Sequence, residues 1–160
     1  MTAQTWNAQW PWSSRPLKED RVWNAARLIF ELSNGFISTN RLHQILYFCL
    51  GKSLKLEEPL FEDRVEAWWG GPVIIPVYQI YGTKGFLKDI AGDPEMLSVA
   101  EMALVSDTVV NFRHFSDKNL AEVVRATDPY SEAAKSLQVT YSPGHITHED
   151  MAFFFNRTWD

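Results

Sequence analysis

The chain has 160 residues, a length that fits one domain burying about two-thirds of its extended surface. Its 46% hydrophobic and 14% aromatic content excludes wholesale disorder, and its net charge of −5 lacks the basic footprint of a non-specific polyanion binder. Cys49 is the single cysteine, no uncharged apolar run reaches the ~18 residues of a membrane span, and the first residues lack a basic region followed by an apolar core. A cytoplasmic protein in a reducing compartment, with no membrane partner, is therefore expected.

Residues 1–19 form a Trp-rich N-terminal extension. Trp6, Trp10 and Trp12 stand there among polar residues, with Pro11 and Pro16 holding their neighbours extended. The tail either folds back on its own domain or serves as a partner-binding arm, because Trp is enriched at interface hot spots. The remaining residues, 20–160, read as a helix-dominated α+β domain: a single compact multi-helix unit with a short hairpin or antiparallel strand pair.

A first helix runs from about Leu17 to Asn34, with Val22, Ala25, Ala26, Ile29 and Phe30 on one face and Gly35 beyond its C-terminus. Ser38 or Thr39 caps a second, to about residue 54, whose apolar face is Leu42, Ile45, Leu46 and Cys49. Cys49 on that stripe reads as a core thiol, since a nucleophile needs an exposed electropositive site. His43 falls off the stripe and reads as a surface residue. A charged connector follows, with Pro59-Leu60-Phe61 re-entering the core.

Residues 60–81 carry the densest signal. Val65, Ala67 and Trp69 alternate with Glu66 and Trp68 at strand spacing. Gly70-Gly71-Pro72 then breaks the strand, Gly71 permitting a close turn and Pro72 fixing the start of a helix bearing Val73, Val77, Ile80 and Tyr81. Phe86 to Ile90 is a candidate strand for pairing with Val65 to Trp69. Beyond the Gly92-Asp93-Pro94 turn, a helix over 95–114 points Val99, Met102, Val105, Val109 and Phe112 inward. Ser116 caps the next, over 117–126, with Leu120, Val123 and Val124. Asp128-Pro129 opens a short helix to about 137, Ser142-Pro143-Gly144 turns, and Thr147-His148-Glu149-Asp150 opens a last helix with Met151, Phe154 and Phe155 on one face.

Chemistry-bearing motifs are sparse. Gly82-Thr83-Lys84-Gly85 has the Gly-x-x-Gly form of a nucleic-acid backbone clamp, the basis of an alternative reading as a nucleic-acid-binding regulator; a helix cap and loop is the plainer account, and the acidic charge argues against nucleic acid. His145 and His148 lack the ligand company of a metal site, so no metal or other cofactor is expected. Glu62, Asp63 and Glu66 beside Trp68 and Trp69 are the remaining enzyme option, an acid–base hydrolase; a strand edge with one Glu tied to Arg64 is the plainer account. No catalytic residue is assigned.

Arg41-Leu42-His43-Gln44-Ile45-Leu46-Tyr47-Phe48, then Pro59-Leu60-Phe61, Glu66-Ala67-Trp68 and Gly71-Pro72-Val73, with Tyr78 in the following helix, resemble the Panacea domain, the family of phage-associated GepA proteins and SocA-like antitoxins. Leu120 to Ala133 and Ile146-Thr147 are similar to its C-terminal part, so the resemblance covers about residues 20–156. Gln44, Gly70 and Thr127-Asp128 depart from the family's Lys, Tyr and Thr-His, and read as surface positions. The resemblance implies a mainly helical domain that binds and neutralises a cognate toxin encoded beside it, some members delivering a partner to a protease. Leu42, Leu46, Tyr47, Leu60, Phe61, Glu66, Ala67, Trp68, Gly71, Pro72, Val73 and Tyr78 would be the structural signature. Partner contacts would then fall on Trp69, Gly70 and the tail tryptophans.

Overall fold

A computed structural model describes residues 20–158 except residue 57. The three tail tryptophans lie outside the described residues. In chain order the elements are α1 (Arg21–Leu32), β1 (Ile37–Ser38), α2 (Thr39–Ser53), β2 (Val65–Trp68), β3 (Gly71–Ile74), α3 (Ile75–Tyr81), β4 (Phe86–Leu87), a 3-10 turn (Pro94–Met96), α4 (Val99–Asn111), α5 (Asp117–Arg125), α6 (Asp128–Thr140), β5 (Gly144–Ile146) and α7 (His148–Thr158). This is the helix-dominated α+β architecture expected from the sequence.

Helix α2 is the axis of the fold. Ser38 caps it by accepting a hydrogen bond from the Arg41 backbone N–H. Every residue from Leu42 to Gly51 is buried, because α1, α4, α5, α7 and β3 all pack on it. A helix buried all round has no polar face, and here the amphipathic reading fails. His43 is 4% exposed and Gln44 3% exposed, so neither is the surface residue the pattern predicts. Gly51 is the point of closest approach: a Cβ there would stand 2.3 Å from the Phe155 ring of α7.

Half of the twelve residues expected to form the structural signature are packed into the core. Leu42, Leu46, Tyr47, Leu60, Phe61 and Ala67 are fully buried in one continuous core. The Thr127 hydroxyl donates to the Val124 carbonyl, so the Tyr47 hydroxyl donates to Thr127 Oγ1 at 2.7 Å. Thr127 is thus a buried tie between α2 and the α5–α6 junction, not a surface position. Cys49 is buried as expected, and desolvation pushes its thiol up to about 12.

The 60–81 stretch folds differently from the sequence reading. Gly70-Gly71-Pro72 does not lead into a helix. Strands β2 and β3 form an antiparallel hairpin in the register Val65↔Ile74, Glu66↔Val73, Ala67↔Pro72 and Trp68↔Gly71, leaving Trp69-Gly70 as a two-residue tip. Gly71 enters β3 at φ +133°, a conformation that side chains disfavour. The helix starts at Ile75 instead, with Pro76 in its first turn, so Pro72 and Val73 are strand residues.

The second partner of β2 is β5, through Val65↔Ile146, Glu66↔His145 and Ala67↔Gly144. The Phe86–Leu87 strand pairs with Ile37–Ser38, not with Val65–Trp68. Two helix boundaries also move. Ser98 makes a capping box with Glu101, so α4 begins at Val99, which is 85% exposed rather than inward. Helix α6 runs on to Thr140.

Candidate functional site

A cleft of about 620 Å³ opens where α2, the hairpin, α3 and α5 meet. Its floor is His43 and Gln44 of α2. One wall is Trp68, Gly71, Pro72 and Val73 of the hairpin with Tyr78 of α3. The Gly82-Thr83-Lys84-Gly85 loop forms a second wall, and Asp117, Lys118, Ala121 and Arg125 of α5 a third.

Each wall is held by specific bonds. Thr39, the first residue of α2, donates its backbone N–H to the Gly85 carbonyl at 3.0 Å and its hydroxyl to the Lys84 carbonyl. The glycine loop is therefore pinned to the α2 N-terminus. Arg41 bonds Asp117 at 3.0 Å and the Phe112 and Phe115 carbonyls, fixing the start of α5. Trp68 and Tyr78 lie against each other with centroids 4.7 Å apart. Trp68 also donates its indole N–H to Glu66 at 2.9 Å.

The floor is polar, and its two groups are bonded unequally. His43 Nδ1 accepts the Ile74 backbone N–H at 3.0 Å. Its proton therefore sits on Nε2, and burial lowers its pKa to about 4, keeping the ring neutral. Gln44 Oε1 is buried with no hydrogen-bond partner among the described residues. A buried amide carbonyl without a donor costs about 1–3 kcal/mol.

The hairpin's outer edge is closed to a further strand. Strand β3 is the edge of the sheet in the order β3-β2-β5. On its open side Pro72 has no N–H, and the N–H of Ile74 is taken by His43.

The carboxylate cluster is reorganised. Desolvation alone would raise the Glu66 carboxyl, but bonds from Arg64 at 2.7 Å and from Trp68 outweigh it and hold the group below its usual range. That makes Glu66 a tied strand carboxylate. Glu62 and Asp63 instead share a small hollow with Pro59, His145 and His148, an assembly the sequence order hides. Among the described residues, no group of three or more His, Cys, Asp and Glu side chains forms a metal cradle. No helix among them is long and apolar enough to cross a membrane.

Of the expected partner-contact residues, Trp69 and Gly70 sit together at the exposed hairpin tip, Trp69 being 63% exposed, and Gly70 reaches the cleft rim. Sequence reasoning missed Gln44, His43, Lys118 and Arg125 as neighbours of the glycine loop, and the exposed stack of Phe36 on Phe86, whose centroids are 4.8 Å apart. Their nearness depends on long-range pairing, which no local pattern carries. Comparisons with protein-family models, curated proteins and solved structures return no match to this chain.

Proposed function

We propose that this chain is a protein-binding module of the antitoxin kind, which neutralises a toxin encoded beside it by stoichiometric occlusion. The reading rests on the resemblance of its signature residues to the Panacea domain, with delivery of the partner to a protease as a variant of the same role. The observation that carries it is Trp69. A large aromatic that is 63% exposed at a two-residue hairpin tip leaves most of its apolar surface open to water and is well suited to anchor a partner. Beneath it, Leu42, Leu46, Tyr47, Leu60, Phe61 and Ala67 are buried in the core, apart from the exposed tip.

Co-expression tests this directly. The product of the neighbouring open reading frame is expected to arrest growth alone, to be tolerated with this chain, and to co-purify with it at a fixed ratio. Arrest unrelieved by the chain, or relief without co-purification, overturns the occlusion reading.

A further inference from the structure

The polar floor of the cleft is not explained by partner docking at the hairpin tip. We propose that the cleft is a nucleotide-binding site, taking the base against the Trp68–Tyr78 wall and the phosphate toward Lys84, Lys118 and Arg125. This goes beyond the antitoxin reading and does not depend on it.

Size, polarity and charge each support the assignment. A volume of about 620 Å³ lies within the range of roughly 300–1,000 Å³ for small-molecule sites. The floor is built of two polar side chains, His43 with its proton on Nε2 and the Gln44 amide, whose Oε1 is buried with no partner among the described residues. A nucleobase edge, which carries donors and acceptors side by side, suits a floor made of an imidazole and an amide. Trp68 and Tyr78 supply the aromatic surface on which bases stack.

The phosphate end is marked by charge. The protein carries −5 overall, yet Lys84, Lys118 and Arg125 line the cleft, and the one lining carboxylate among the described residues, Asp117, is engaged by Arg41 and Ser38. The N-termini of α2 and α5 border the same space and favour an anion. At Gly82 and Gly85 a Cβ would meet no atom within 4 Å, so bare backbone faces open space on the loop wall.

An acidic peptide from a partner is the competing ligand. A peptide docking by strand addition is disfavoured, because Pro72 and the His43 bond to Ile74 close the edge of β3. A compact ligand needs no strand edge.

Calorimetry and thermal shift on the full chain decide the matter. The probes are the four ribonucleoside monophosphates, their nucleosides, inorganic phosphate and a Glu-rich peptide. At least one monophosphate is expected to saturate with a dissociation constant below about 1 mM. In Lys84→Glu/Lys118→Glu, whose side chains are exposed, its affinity should fall about tenfold or more while the matching nucleoside is unaffected. Gln44→Leu should weaken nucleotide and nucleoside alike, and Trp69→Ala neither. The proposal is overturned if no monophosphate binds, if phosphate alone binds as tightly as the best nucleotide, or if the Glu-rich peptide binds in its place and is lost in the charge-reversed variant. None of these outcomes bears on co-purification with the neighbouring gene product, so the two readings fail separately.

Discussion

Replacing Gln44 with Leu separates stability from function in one residue. The side chain is 3% exposed, and its carbonyl oxygen has no donor among the described residues. Such an orphan costs about 1–3 kcal/mol, whereas an apolar group of similar shape carries no such penalty. The free chain should therefore gain about 1–2 kcal/mol, raising its melting temperature by about 2–4 °C for each kcal/mol. Urea denaturation with an unchanged m-value reads this without ambiguity. A loss of more than about 1 kcal/mol would show that the amide is bonded in the free protein and would refute the account of the floor.

Two further substitutions probe the core and the imidazole. His43 has a folded-state pKa of about 4, against 6.5 when exposed, because burial disfavours the charged form. A base with a depressed folded value contributes its full stability above pH 6.5 and loses it as pH falls toward 4, by a total of about 3 kcal/mol. His43→Asn keeps an acceptor for the Ile74 N–H without titrating, so its stability should be flatter across this window; an identical pH slope in both proteins would reject the assignment. Gly51→Ala drives a methyl to 2.3 Å from the Phe155 ring and should cost about 1–3 kcal/mol, partly recovered in Gly51→Ala/Phe155→Leu. A neutral Gly51→Ala would mean that α2 and α7 are not in the close contact described.

The sequence carried the helices well, for reasons visible at single residues. Ser38 and Ser116 announce their caps, Asp128-Pro129 announces α6, and Leu42, Ile45, Leu46 and Cys49 repeat at the spacing of a buried face. What it could not carry is what surrounds a helix. α2 has neighbours on every side, so His43 and Gln44 are buried despite falling off the apolar stripe. Strand pairing was misread for a related reason. Val65–Trp68 finds one partner across a two-residue tip and the other at Gly144–Ile146, far along the chain. Gly70-Gly71-Pro72 signals a reversal, but nothing local says whether a strand or a helix follows it.

The cleft was legible only in fragments. Gly82 to Gly85 stood out as a loop, Gln44 as a departure from the pattern the chain resembles, and Gly70-Gly71 as a break after the strand. Thr39, which ties the loop to α2, and Arg41, which ties α5 to the same end, are ordinary helix-start residues by sequence. Their long-range bonds create the site, and those bonds exist only once the core has brought the segments together.

The most direct measure of the central claim is the affinity of the purified chain for the product of its neighbouring gene, compared with that of Trp69→Ala. With the fold intact by thermal melt, loss of a buried aromatic anchor should weaken binding by about 2 kcal/mol or more, close to thirtyfold. Equal affinities of the two proteins would contradict docking at the hairpin tip.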